Sequence, residues 1–104
     1  MSEIEFENQG EVIDETLDDL REPPRYRVLL HNDHYTTMEF VVEILIEVFH
    51  HSQAAAEDIM LQVHRLGIGC CGEYDREIAE SKVAEVTRRA SDAGFPLRCS
   101  MEKI

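Results

Sequence analysis

The sequence predicts an α+β fold: a small two-layer sandwich in which a three-stranded, largely antiparallel sheet is covered by three helices in the order βααβαβ. Three observations carry that expectation. Apolar and polar residues alternate in short segments rich in strand formers, apolar residues recur at helical spacing between those segments, and cap or stop residues mark nearly every junction. Strands with one apolar face and helices with one apolar stripe bury both by packing into two layers. A chain of 104 residues with 43% hydrophobic content suits one such core.

The elements follow in chain order. Pro23-Pro24 stops any helix that approaches from the N-terminal side. The next segment, RYRVLLH at residues 25–31, alternates and is rich in Tyr, Val and Leu, so it reads as a strand. Asn32-Asp33-His34-Tyr35 is a polar turn. Thr36 and Glu39 have the spacing of a capping box, in which hydroxyl and carboxylate reciprocally satisfy orphan amides, and an apolar helical run extends to Phe49. His50-His51 breaks that run, Ser52 caps a second helix and Gly67 closes it. Residues 68–74 (IGCCGEY) form a short strand, with Gly69 and Gly72 as points of bulge or close approach. Asp75 caps a third helix from Arg76 to about Ala93, with Ile78, Ala79, Lys82, Val83, Val86 and Ala90 at helical spacing, and Gly94 ends it. Leu97, Cys99 and Met101 alternate with Arg98, Ser100 and Glu102, which gives the last strand one apolar face. The pairing order of the strands does not follow from pattern.

Charge narrows the function classes. Twenty-two acids against ten bases give a net charge of −12, which repels phosphate backbones and anionic lipid, so nucleic-acid and membrane partners are disfavoured. Residues 1–24 hold nine acids and one base, leaving 13 acids and nine bases for residues 25–104. The first segment, with scattered apolar residues, is expected to be a flexible acidic arm, and residues 25–104 a single domain. The longest apolar stretch is broken by Glu43 and Glu47, and the N-terminus is acidic; neither a transmembrane helix nor a signal peptide is expected, and the expected location is the cytoplasm. Cys70, Cys71 and Cys99, odd in number and with two adjacent, make a poor disulfide framework.

Few residues carry chemistry. Met60, Val63 and His64 share one helical face, which fits either a half-exposed core histidine or a pocket with one polar group. Asn32 and Asp33 suit ordinary turn bonding or a cluster of acceptors. Cys70 or Cys71 with His64 as base could make a nucleophile, but no oxyanion or triad signature accompanies them. The histidines and cysteines lack metal-ligand spacing, and no Gly-rich phosphate loop is present. No cofactor or metal is expected.

Taken together, the ordered blocks Pro23-Pro24, Asn32-Asp33-x-Tyr35-Thr36-x-Met38-Glu39-Phe40-Val41, Met60-x-x-Val63-His64, Cys71-Gly72, Ala79-Glu80-Ser81-Lys82-Val83 and Pro96-Leu97-x-Cys99-Ser100-Met101-Glu102-Lys103 resemble the Clp protease adaptor family, ClpS. The likeness covers residues 23–104. It implies an adaptor, not an enzyme, that binds substrates through a free N-terminal amine and a bulky first residue (Leu, Phe, Tyr or Trp). It also implies delivery of those substrates to the N-terminal domain of a Clp AAA+ unfoldase.

By that resemblance Asn32, Asp33, His34 and His64 form the amine site. A protonated amine brings three donors, each costing roughly 1–3 kcal/mol if buried unmet, so several acceptors are required. Thr36, Met38, Val41, Ile44, Met60, Val63 and Leu97 would line the side-chain pocket, where full burial of a Leu or Phe is worth about 1.5–3 kcal/mol. Met38 is the implied gate against β-branched first residues. Glu77, Glu80 and Lys82 would face the unfoldase, and the acidic arm would be engaged during handoff. One position departs from the family: His34 stands where a second aspartate is common. The expectation is weaker amine binding that is lost more steeply below about pH 6.5, the ordinary range of histidine. The alternative of another class is a ribosome-associated acidic interaction domain, which leaves Asn32, Met60 and His64 without a purpose.

Overall fold

The computed structural model describes residues 23–104. The expected arm, residues 1–24, lies outside the described residues except for Pro23 and Pro24. The elements are β1 (Arg25–His31), α1 (Met38–Glu47), α2 (Gln53–Leu66), β2 (Ile68–Asp75), α3 (Arg76–Ala93) and β3 (Arg98–Lys103), the βααβαβ order that the pattern predicts. The sheet runs β2-β1-β3. β1, first in sequence, is therefore the central strand, antiparallel to both neighbours.

Alternation decides which face of the sheet the helices cover. Val28 and Leu30 on β1 are fully buried and pack with Cys71 and Cys99 of the flanking strands. Leu29 points to the opposite face, between its cross-strand partners Cys70 and Ser100. α1 buries Val41, Ile44 and Leu45, positions three and four apart that form one stripe, and Val48 and Phe49 extend it. α3 contributes Ala79, Val86 and Ala90; the small alanines let the helix lie close to the sheet.

The caps fix the joints. Ser52 accepts from the Ala55 amide and Asp75 from the Ile78 amide, both as expected. The start of α1 differs from expectation. Its N-cap is Thr37, whose hydroxyl accepts from the Phe40 amide at 3.1 Å; Thr36, expected in that place, bonds to Asp33 instead. The helix also stops at Glu47, short of Phe49. His50 closes the turn at φ 61°, a left-handed backbone, with its amide on the Ile46 carbonyl and that of His51 on Leu45.

Gly69 and Gly72 sit where close approach was expected. A Cβ on Gly69 would lie 2.7 Å from Val63 Cγ2 and 3.3 Å from the Ile59 carbonyl oxygen, so its absence lets β2 pass beneath α2. The β1–β2 register slips between Val28 and Leu29, which leaves Cys71 as the extra residue of a β-bulge. Its carbonyl accepts a 2.6 Å hydrogen bond from His51 Nε2, so the backbone group that the bulge takes out of the ladder keeps a partner.

Candidate functional site

The site forms where two chain segments are tied together. At the end of β1 the Asn32 amide donates to the Gly67 carbonyl at 2.9 Å. Gly67 is itself the left-handed cap of α2, at φ 87°, with its own amide on Val63. This tie sets the turn after β1 beside the last turn of α2 and brings Asn32 next to His64, 32 positions along the chain. His31, the residue before, is fixed to β3 through Nε2 and the Ser100 hydroxyl at 2.7 Å.

Asp33 builds the wall of the site. Its Oδ1 accepts from the Tyr35 and Thr36 amides at 2.8 and 2.7 Å, and its Oδ2 from the Thr36 hydroxyl at 2.8 Å. This is an Asx turn reinforced by a side chain. Partial burial pushes the carboxyl up, but the Thr36 and Tyr35 amides and the Thr36 hydroxyl outweigh it and hold Asp33 below the usual carboxylate range. The aspartate therefore stays ionised and keeps residues 32–36 in one shape. Thr37 then starts α1, and Met38, 43% exposed, stands at the rim.

Between this turn, α1 and α2 lies a cavity of about 260 Å³, lined by Asn32, Asp33, His34, Thr36, Met38, Val41, Met60, Val63 and His64. Asn32, Asp33, His34 and Thr36 come from the turn, Met38 and Val41 from α1, and Met60, Val63 and His64 from α2. The volume is just below the ~300–1,000 Å³ of drug-sized ligand sites, so the space suits one amino-acid side chain rather than a nucleotide cofactor. Val41 and Val63 are buried and form the floor; Met60 is half-buried and His64 exposed. Two residues expected in the wall lie behind it. Ile44 and Leu97, only 1% and 6% exposed, belong to the core and back the cavity without lining it.

The residues expected to face a partner lie on α3, away from this cavity. Glu77 is in the first turn, and Glu80 is paired with Arg76 at 3.1 Å. Lys82 turns inward: its Nζ donates to the Val48 carbonyl at 2.6 Å, 5.8–6.0 Å from the Tyr74 and Phe49 ring centres. Cys70, Cys71 and Cys99 sit on the strands, and burial raises Cys71 strongly and pushes Cys99 up to about 12. Such thiols are poor nucleophiles. Sequence reasoning missed the Gly67 carbonyl tie, because a backbone acceptor leaves no residue signature, and missed Thr37 as cap, because two adjacent threonines satisfy the same pattern.

Residues 21–100 match the model of the family described as "ATP-dependent Clp protease adaptor protein ClpS". The chain belongs to the ClpS family. The ATP-dependent Clp protease adapter protein ClpS of Oleidesulfovibrio alaskensis is 59% identical over 87 residues, 84% of each chain. That of Desulfotalea psychrophila is 57% identical over 90 residues, 85% of this chain and 88% of the relative. A solved structure, that of Agrobacterium tumefaciens ClpS2 bound to L-phenylalaninamide, is 38% identical, with a TM-score of 0.77 over 80% of this chain and 100% of that one. As a ClpS protein this chain is an adaptor of a Clp protease, and the ribosome-associated alternative loses its basis. Among the described residues no helix is long and apolar enough to cross a membrane.

Proposed function

We propose that this ClpS protein binds the free N-terminal amine and bulky hydrophobic first residue of a substrate and, without catalysing a reaction itself, presents it to a Clp AAA+ unfoldase in the cytoplasm. The observation that supports the reading is the mixed lining of one cavity: Asn32, Asp33, His34 and His64 supply polar groups, and Val41, Met60 and Val63 supply apolar ones. An α-ammonium and the side chain on the same carbon require that arrangement, with acceptors and apolar wall a few ångströms apart. The Asn32 side-chain carbonyl and a neutral His64 nitrogen accept from the ammonium, and ionised Asp33 adds negative charge beside them. Leu, Phe, Tyr or Trp packs against the apolar residues. Met38 at the rim narrows the entrance, which disfavours the β-branched Ile and Val. L-phenylalaninamide, the ligand of the Agrobacterium ClpS2 structure, has a free amine and a benzyl side chain on one carbon, which supports the same chemistry here.

The unfoldase's N-terminal domain is assigned to the α3 side, through Glu77 and Glu80, with Lys82 holding the α1 terminus against α3. His34 replaces a carboxylate acceptor by an imidazole, so His34→Asp is expected to tighten amine binding. The deciding experiment is titration of peptides that differ only in their first residue or in N-acetylation. Leu- and Phe-initiated peptides with a free amine should bind, and acetylation should abolish binding. Equal binding of the acetylated peptides would refute the amine clamp.

A further inference from the structure

Resting on the N-terminal reading above, we propose that His31 is a positioning residue for Asn32. Its neutral ring, held between Ser100 and Arg98 on the face of the sheet away from the helices, fixes the end of β1 and so aims Asn32 at the substrate amine; protonation of the ring releases that hold. His31 is the last residue of β1 and the last pair of both ladders, opposite Ile68 on β2 and Arg98 on β3. Beyond it the chain leaves the sheet, and the Asn32 amide is held by the Gly67 carbonyl at 2.9 Å. Alternation puts the two side chains on opposite sides. Asn32 lines the cavity; the His31 ring lies on the outer face with Leu29, which is buried there without belonging to the helix-side core. The end of β1 is thus gripped from both sides, and the outer grip is made by side chains.

The contacts of the ring decide where its proton sits. Nδ1 faces Arg98 Nη1 at 3.5 Å, and Nε2 faces the Ser100 hydroxyl at 2.7 Å. A guanidinium only donates, so Nδ1 is the bare acceptor, and Nε2 carries the proton and donates it to Ser100. An imidazolium would turn an N–H toward the guanidinium and set two cations side by side. Among the described residues no carboxylate is placed to offset them. On the same face β1 adds Leu29 and, beyond it, Arg27; β3 adds Glu102 beyond Ser100, already paired with Arg27 at 2.8 Å; β2 adds Ile68 and Cys70. Asp33, past the end of the strand, is engaged by Tyr35 and Thr36. Burial and the Arg98 charge accordingly hold His31 below the ordinary histidine value. With that sign the hold is complete above about pH 6.5, the unfolded value, and is lost as pH falls through the lower folded one.

His31→Gln separates the hold from the charge, because its amide nitrogen can donate to Ser100 and its carbonyl accept from Arg98 while neither titrates. His31→Val suits a strand and removes both contacts. The test measures the affinity of one Leu-initiated peptide by calorimetry on the full chain at about pH 7.5 and about pH 5, either side of the ordinary histidine value. At the higher pH, wild type and H31Q should bind alike and H31V about threefold more weakly, the scale of one hydrogen bond. On going to the lower pH, wild type should lose about threefold more affinity than H31Q. His34, His64 and the peptide amine titrate in both proteins, so the ratio between them reports His31 alone. Ser100→Ala should match H31V at the higher pH and show no such excess loss. In the peptide-free chain the NMR signal of the Asn32 side-chain amide should follow the His31 titration in wild type, with that component absent in H31Q. A merely structural histidine would lower the unfolding temperature of H31V and move neither readout. A wild-type to H31Q ratio that stays the same at both pH values, or wild-type affinity in H31V at the higher pH, would overturn the inference. If the peptide failed to bind wild type at the higher pH, the N-terminal reading would fall and this inference with it; binding with an unchanging ratio overturns the positioning role alone.

Discussion

In the proposed amine site, Asp33 separates two roles that one carboxylate can play, that of charge and that of scaffold. Asp33→Ala removes three hydrogen bonds, to the Tyr35 and Thr36 amides and the Thr36 hydroxyl. Bonds to a charged acceptor are worth about 1.5–3 kcal/mol when buried, but this turn is partly exposed and water replaces some of what is lost. Loss of a comparable capping aspartate costs about 0.5–2 kcal/mol, which puts the expected destabilisation near 2 kcal/mol. With a urea m-value of about 1–1.5 kcal/mol/M for a domain this small, the midpoint should fall by about 1.3–2 M. Asp33→Asn keeps the Oδ1 acceptor and should cost about 0.5 kcal/mol. In a peptide titration with a Leu-initiated probe, Asp33→Asn should lose less than about fivefold in affinity, the scale of a solvent-screened charge. Asp33→Ala should lose more than tenfold, because residues 32–36 no longer hold the wall. If Asp33→Asn lost as much affinity as Asp33→Ala at unchanged stability, direct contact with the ammonium would be the main role and the scaffold reasoning would be wrong. The pH dependence has a definite sign. Folding depresses this carboxyl, so its contribution is present above the unfolded value near 4 and is lost as pH falls through the lower folded value, in a window below pH 4.

Three further outcomes are expected. Gly69→Ala should cost about 1–3 kcal/mol by overpacking, because the new methyl would meet the stiff Val63 side chain at 2.7 Å; Val63 lines the cavity, so peptide affinity should fall with the urea midpoint. Lys82→Met keeps the stem but orphans the Val48 carbonyl and should lose about 1–2 kcal/mol in urea unfolding, so a weaker unfoldase interaction of that variant is to be judged against one measured on Lys82→Arg. Iodoacetamide at pH 8 should label half-exposed Cys70 first, with Cys71 and Cys99 protected until denaturant is added, because burial raises both thiols; mass spectrometry reads the sites, and retained peptide binding is expected after labelling.

The legible part of the fold was local. Ser52, Gly67, Asp75 and Gly94 each combine a residue type with the one backbone state that type favours, so helix ends could be read without knowing what packs on them. The Thr36-Thr37 pair could not be resolved that way, because the choice of cap depends on Asp33 reaching Thr36 first, a contact across a turn. The cavity residues were named through family resemblance; helical spacing alone grouped Met60, Val63 and His64 but did not join them to Asn32. Ile44 and Leu97 show the opposite limit: apolar type and position place a side chain inside, yet only the packing decides between wall and core. The His51–Cys71 bond joins a ring to a bulged carbonyl, and neither partner announces the other in sequence.

The position of β1 has a mechanical consequence. Its start is adjacent to the end of the chain, where the Ile104 amide donates to the Arg25 carbonyl at 2.9 Å, and its far end, about 20 Å away, carries the turn that walls the cavity. Tension between the chain before Arg25 and the C-terminus opens the β1–β3 ladder one bond after another, since both ends leave from the same side. Tension between the chain before Arg25 and a load held at residues 32–36 runs along β1 itself, perpendicular to the ladder bonds, and shears the β2 and β3 pairings together. The same domain is thus soft to one direction of pulling and stiff to the other, and the stiff direction is the one that connects the acidic segment to the cavity.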